Sequence, residues 1–417
     1  MDDRQQLRAW IEAEREEILA FFQDFVRAKS PNPPGDTTEA VAHITGFLER
    51  QGLPFRLVAP QPTMANVVGT FEGGGPGRHL VLNGHIDVFP VGPDPEAEGW
   101  SQGPWSGALV DGKVYGRGSA DMKCGTASSI WTYALLHRLK DRLKGKLTLT
   151  CVSDEETFGP WGARWLMEHE PEVRGDCCLN GEPSSPYTIR YGEKGPLWIK
   201  FTVRTAGAHG AYTNVSPSAT RIAARLIRDL EALEELEFEL PDNLLRAQAE
   251  AVEVADRAMG PGAGAILPKA TLNIGTIQGG LKVNMVPGEC SFEADIRLPV
   301  GVGKEQILAE VEKIAAAYPE ASMEEINCSL PSYCDPFGDM VEIIQKNVEE
   351  LRGFRPTPVV SLGGTDARLW RYENIPAYVY GPFPTGMGAG DENVPVDDFF
   401  HVLTTHVLSA YDYLTAA

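Results

Sequence analysis

Residues 78–90, RHLVLNGHIDVFP, and residues 143–156, LKGKLTLTCVSDEE, each form a short apolar run that ends in polar side chains. Between them lies GTASSIWTYALLHRLK (125–140), whose apolar spacing is helical. A strand, a crossover helix and a second strand imply a largely parallel sheet, because a tight turn joins only antiparallel neighbours. In such sheets ligand groups sit where strands run into loops at their carboxyl ends. His85, Asp87, Asp154, Glu155 and Glu156 fall there.

Working toward the N-terminus, RAKSPNPPGD (27–36) breaks a helix with three prolines and a glycine, and TTEAVAHITGFLERQGL (37–53) has helical spacing that stops at Gly52. Two helices are therefore expected before the first strand, the first of them over MDDRQQLRAWIEAEREEILAFF (1–22). Toward the C-terminus the texture changes at residue 196. PLWIKFTVRTAG, ATLNIGTIQGG and ECSFEADIRL alternate, while SATRIAARLIRDLEALEEL and GKEQILAEVEKIAAAYP are helical. These segments predict a small helix-backed antiparallel sheet, interrupted at about 236–268 by an inserted loop or helix. After 331 the α/β style resumes in VVSLGGTDARLW, AYVYGPF and FFHVLTTHVLSAYDYL. The expected architecture is α/β: a mostly parallel sheet with helices on both faces, built from 1–195 and 332–417, plus an inserted α+β domain over 196–331.

Composition narrows the functional classes. The chain has 417 residues, enough for about two to three domain-equivalents and a cleft. Its net charge of −21 repels phosphate backbones and anionic membranes, so neither nucleic acid nor membrane is an expected partner. Seven cysteines without paired CxxC spacing argue against a disulfide framework or a zinc ribbon. The N-terminal segment begins with acids rather than a basic region followed by an apolar stretch, so the cytoplasm is the expected compartment.

Four separated segments place metal-competent groups at strand ends: NGHID (His85, Asp87), GSADMKCG (Asp121), SDEET (Glu155, Glu156) and NGEPS (Glu182). One histidine with several carboxylates suits a hard or borderline divalent cation such as Zn, Mn or Co. A His-x-Asp spacing on a strand puts both side chains on one face, so Asp87 can orient the His85 imidazole. Adjacent strand-end carboxylates can divide roles, one binding metal and one taking a proton from water. Taken one at a time, these residues would equally serve as turn or surface groups.

In this order the segments resemble the metal-dependent aminoacylase and exopeptidase family that includes acetylornithine deacetylase, succinyl-diaminopimelate desuccinylase and glutamate carboxypeptidase. The resemblance covers essentially the whole chain. It implies His85, Asp121 and Glu182 as one metal site, with Asp121 bridging to a second site that uses Glu156, and Glu155 as the base. It implies that the inserted domain, ferredoxin-like, acts in dimerisation or as a lid, and that a homodimer or larger assembly forms through 196–331. Within it, AGAHGAYTN (206–214) places His209 where family members send a histidine into the partner's active site. GGLKVNMVPGECSFEADIRLP (279–299) places Asn284 and Arg297 where the family contacts the substrate's oxyanion and carboxylate. Without the family, Arg297 could simply pair with a nearby acid. GGTDAR, with Thr365 and Asp366, matches a further active-site loop.

One departure stands out. The family pattern H-x-x-D-E near the C-terminus supplies the last ligand of the second site, but here the segment is GMGAGDENVPVDD (386–398), and the position four before Glu392 is Gly388. Glycine has no side-chain donor atom, so the expectation is one tightly held ion and a second position that is weak or empty. His401 and His406 follow nearby, on a helix with apolar neighbours, and read as core or surface residues. The implied activity is hydrolysis of a C–N bond in a small carboxylate-bearing substrate, with water activated by the metal and Glu155. An alternative is hydrolytic deamination of an amino-aromatic acid such as 5-nitroanthranilate, with Phe158, Trp161 and Trp165 of TFGPWGARW as a floor for a flat ligand. A third reading is a non-catalytic metal- or ligand-binding relative.

Overall fold

The computed structural model describes residues 2–416. The chain divides into two compact units. The first comprises the residues up to Tyr191, Cys334–Val359 and those from Thr365 onward; the second comprises Gly192–Tyr333 and Val360–Gly364.

In the first unit four parallel strands lie side by side in the order Lys146–Val152, His79–His85, Cys177–Asn180, Ala377–Val379. The sheet is parallel at its centre and antiparallel at its margins. Asn66–Glu72 runs antiparallel to Lys146–Val152 and pairs on its other side with Arg56–Val58, through the link 59–65 that is too short for a crossover. Helices cover both faces, as parallel strands buried on both sides require. The crossover helix Cys124–His137 is buried through Leu136, because apolar and small residues occupy its whole circumference. A separate cluster joins Val81 and Val152 to Ala163, Leu166 and Trp370 of the short helices Ala163–His169 and Ala367–Tyr372.

Three helices, not two, precede the first strand: Asp3–Ala13, Arg15–Arg27 and Thr38–Arg50. The break falls at Glu14, but the buried positions Leu7, Ile11, Ile18, Phe22 and Phe25 keep one helical period across it. Hydrophobic spacing alone therefore cannot reveal it. At the start, Asp2 and Gln5 form a reciprocal cap, with the Gln5 N–H donating to Asp2 Oδ1 at 2.7 Å.

The second unit is a four-stranded antiparallel sheet in the order Thr271–Gly279, Glu289–Leu298, Gly195–Arg204, Ala321–Cys328. With helices Ala219–Leu230 and Lys304–Ala315 its chain order is βαββαβ, the ferredoxin-like arrangement. Strict alternation buries Leu197, Ile199, Phe201 and Val203 on one face, and Phe201 stacks on Phe292 of the next strand with ring centroids 4.8 Å apart. The interruption near 236–268 is helical, Asp242–Met259, with Ala263–Ile266 after it. The buried Lys194 ammonium ties the chain after it to the sheet by donating to the carbonyls of Ile266 and Lys269, at 3.0 and 2.7 Å. All seven cysteines are free thiols. Among the described residues no helix is long and apolar enough to cross a membrane.

Candidate functional site

Parallel register brings the catalytic candidates together. His85 pairs with Val152 and Asn83 with Asn180, so the loops after three adjacent strands start side by side at their carboxyl ends. His85 closes its strand, Glu155 and Glu156 follow the second strand, and Glu182 follows the third. Asp121 enters from the turn ahead of the crossover helix.

The result is a cluster in which single donor atoms of His85, Asp121 and Glu182 all lie within 4.8 Å of one another. His85 Nε2 is 3.1 Å from Asp121 Oδ1 and 3.3 Å from Glu182 Oε1. Its Nδ1 lies 2.8 Å from the Asp87 carbonyl oxygen, an acceptor that assigns the proton to Nδ1 and leaves Nε2 toward the carboxylates. Burial alone would lower the His85 pKa, but Glu182 and Asp121 overcome it and hold the imidazole well above its ordinary value. Burial pushes Glu182 up to about 7 and Glu156 up to about 11, the latter helped by Asp121. Glu155 is also raised, first by burial and then by Asp366 and Glu182, against the lowering effect of His85.

These shifts describe carboxylates crowded together out of water, a situation that a divalent cation relieves. Two buried oxygens, Oε1 of Glu155 and Oε1 of Glu156, have no hydrogen-bond partner among the described residues, although the first lies 3.6 Å from the Arg368 guanidinium. One imidazole nitrogen and several carboxylate oxygens with spare lone pairs fit Zn, Mn or Co.

Asp87 does more than its spacing suggests. Besides facing His85 Nδ1 at 3.6 Å, its carboxylate accepts the Glu155 and Glu156 backbone N–H groups at 3.3 and 3.1 Å and the Asn32 amide at 2.9 Å. The Asn32 amide also reaches Asp154 Oδ1 at 3.1 Å. Asp154, in a left-handed backbone conformation at φ 69°, accepts from Thr157 Oγ1 and from the Trp161 N–H. Asn32 thus ties the His85 strand end to the Glu155 turn. In the sequence it sits inside SPNPPG, where the prolines announce only a helix break.

Thr365 and Asp366 are buried at the entry to the Ala367–Tyr372 helix, and the Thr365 carbonyl accepts from Arg368 Nη1 at 2.6 Å. Phe158 is 36% exposed with the Arg368 guanidinium 4.8 Å from its ring centroid. Trp165 instead stacks on His169, with centroids 3.8 Å apart, and Trp161 lies tilted 6.2 Å from it. His401 Nε2 is bound to the Tyr380 hydroxyl at 2.6 Å and His406 Nε2 to the Tyr380 carbonyl at 2.7 Å. Both are buried core residues and are absent from the metal-competent cluster. Gly388 has φ 75° and offers its carbonyl to Arg117 Nη2 at 3.5 Å.

The other candidates belong to the second unit. His209 is exposed on a two-residue strand paired with Met285, and its Nδ1 accepts the Ala211 N–H at 3.3 Å. Asn284 is exposed, and its carbonyl accepts the Gly210 N–H at 2.8 Å. Arg297 is paired with Asp295, two residues back on the same strand face, at 2.9 Å.

Comparison with known proteins places this arrangement. The sequence model described as Peptidase family M20/M25/M40 matches residues 81–410. A succinyl-diaminopimelate desuccinylase of Cereibacter sphaeroides is 27% identical over 409 residues, covering 95% of this chain and 99% of that protein. Another from Methylorubrum extorquens is 28% identical over 413 residues, 94% and 98% of the two chains. Among solved structures, an M20 family metallo-carboxypeptidase from Sulfolobus solfataricus superposes with a TM-score of 0.77 at 18% identity, covering 95% of this chain and 99% of that one. A dinuclear metal-binding M20 peptidase from Bacillus subtilis gives 0.68 at 17%, covering 97% and 100%. With the family match spanning most of the chain, including the strand ends at His85, Val152 and Asn180, this protein belongs to peptidase family M20/M25/M40 and is a metallohydrolase that acts on amide C–N bonds.

Proposed function

We propose that the chain hydrolyses a C–N bond in a small carboxylate-bearing substrate with one divalent cation, Zn, Mn or Co, held tightly by His85, Asp121 and Glu182. The observation that carries this reading is the convergence of one imidazole and two carboxylates within 4.8 Å, with His85 and Glu182 buried and Asp121 partly so. The second position keeps only Asp121 and Glu156, since Gly388 offers no side-chain donor, and is weak or empty.

When bound, the cation supplies Lewis acidity that makes water a competent nucleophile near neutral pH. Glu155 takes the proton of the attacking water and returns it to the leaving nitrogen. Its buried Oε1, which accepts no hydrogen bond among the described residues and faces the Arg368 guanidinium at 3.6 Å, supports this role, because a nearby cation favours the ionised form that can accept a proton. Asp87 keeps His85 and the Glu155–Glu156 turn in register. His209 stabilises negative charge developing on the substrate, Asn284 and Arg297 address its oxyanion and carboxylate, and Thr365 and Asp366 complete the loop beside Glu155. Assembly is a cytoplasmic homodimer or larger through residues 196–331. Leu281 and Val283 support it, at 91% and 100% exposure on that unit.

The names of the curated relatives make N-succinyl amino acids the first substrates to try. Phe158, 36% exposed in the turn after Glu156, favours a second reading, deamination of an amino-aromatic acid, because an exposed ring can stack on a flat ligand. Elemental analysis after reconstitution with Mn, Co or Zn tests the metal reading. One ion per chain is expected, and two equally tight ions would overturn it. Assaying the same preparations for released acyl group and for released ammonia separates the two reactions.

A further inference from the structure

The segment 386–398 lacks a metal-binding side chain at Gly388 but keeps an acid at Glu392, which is 1% exposed. Glu392 Oε1 accepts the backbone N–H groups of Ala120 and Asp121 at 2.9 and 3.0 Å. Oε2 accepts the Gly118 N–H at 3.1 Å and Arg117 Nη1 at 2.8 Å. Four donors from the run 117–121 thus converge on one carboxylate brought from the far end of the chain.

Backbone N–H groups ahead of a helix have no intrahelical partner, and a nearby side chain normally caps them. Here the cap is remote, and its last contact is the N–H of the metal-site residue Asp121. Asp121 has extended φ/ψ of −114° and 97°, although the crossover helix begins at Cys124. An aspartate side chain is short, so pinning its N–H leaves its carboxylate a small range. Gly118 packs the same loop against Val88, with φ 80° and room for no Cβ, which would lie 2.2 Å from Val88 Cγ1.

We infer that Glu392 is a positioning residue of the metal site: with Arg117 it locks the 117–121 loop so that Asp121 Oδ1 stays beside His85 Nε2. The C-terminal motif therefore has two separable duties, a ligand that this chain lacks and a clamp that it retains. The inference rests on the reading of Asp121 as a ligand.

Glu392→Gln keeps the shape of the side chain but turns one acceptor oxygen into a donor facing N–H groups. Affinity of the full chain for Mn or Co, measured by competition with a chromophoric chelator, is expected to fall about 10- to 100-fold, as for other groups that orient metal ligands. The visible absorption of the Co(II) form should shift as the Asp121 carboxylate moves, and Glu392→Asp, which keeps the charge, should recover part of the affinity. Asn347→Ala provides a stability control. Asn347 is buried and donates to Ser409 Oγ at 3.1 Å and Asp412 Oδ2 at 3.0 Å. This variant should lose melting temperature and keep the ion. Wild-type affinity and spectrum in Glu392→Gln would overturn the clamp, and so would an equal loss of affinity in Asn347→Ala. Asp121→Ala separates the two levels. If it binds metal normally, the metal-site reading fails and the clamp with it; if it loses the ion while Glu392→Gln does not, the clamp alone fails.

Discussion

The strand-end loops of the larger unit and the 206–214 and 281–286 segments of the smaller one carry residues proposed for one reaction, yet they are built in opposite ways. His85, Asp87, Glu155 and Glu182 are all buried, and Asn32, Asp87, Asp154 and Glu392 tie the loops that bear them into a polar lattice. His209 and Asn284 are exposed on segments that hold each other through few backbone bonds, with Val283 wholly in solvent. Groups that must hold a cation need fixed geometry in a desolvated place. Groups that meet a substrate gain from segments whose movement costs little free energy. Substitutions in the first region should therefore disturb metal or chemistry through a rigid frame, and those in the second should leave the frame untouched.

The largest expected effect sharpens the division inside the first region. Glu155→Gln should lower turnover by about 10²- to 10⁴-fold while metal content stays at the wild-type level. Loss of the ion in parallel would place Glu155 among the ligands and break the distinction between base and cage.

Next comes the second region. His209→Ala should lower kcat by about 10²- to 10³-fold, the cost of losing one group that stabilises developing negative charge. Its stability should stay within about 0.5 kcal/mol, as for other surface changes. A large drop in melting temperature with little change in kcat would mean that this segment is structural and the contrast is false.

The smallest effect is a pH dependence confined to the first region. Burial raises Glu182 and Glu392 each to about 7, above the ordinary value of 4.5. A carboxyl raised by folding binds its proton more tightly in the native state. Its contribution is full below about 4.5 and is lost as the pH climbs through 7. The metal-free chain should therefore lose melting temperature across that interval, and a bound cation, by offsetting the carboxylate repulsion, should flatten the curve. Parallel curves with chelator and with Mn would show that the ion does not sit among these groups.

Much of this is legible in the sequence. The apolar runs that end in His85 and Glu155, with a helix between them, imply parallel neighbours, and the βαββαβ alternation of the second unit follows from its period-two strands. The break at Glu14 was hidden because the buried stripe runs through it without a phase change. The antiparallel margins of the large sheet depend on short links, which apolar patterning does not weigh. Asn32 and Glu392 escape a sequence reading for a different reason. Asn32 stands in a proline-rich breaker and Glu392 in a motif whose expected histidine is missing, so neither has a local pattern that signals a partner.

The sequence by itself determined which side chains could hold a cation and which strand ends carry them, because period and residue chemistry are local properties. It also determined that position 388 has no side-chain donor atom, since folding cannot give a glycine one. Only the tertiary structure decided that Asp87 serves both His85 and the Glu155 turn, that His401 and His406 are spent on Tyr380, and that Glu392 reaches the Asp121 loop. Apart from the His85–Asp87 contact, which the His-x-Asp spacing already suggests, those outcomes depend on hydrogen bonds between residues tens to hundreds of positions apart, which local periodicity does not register.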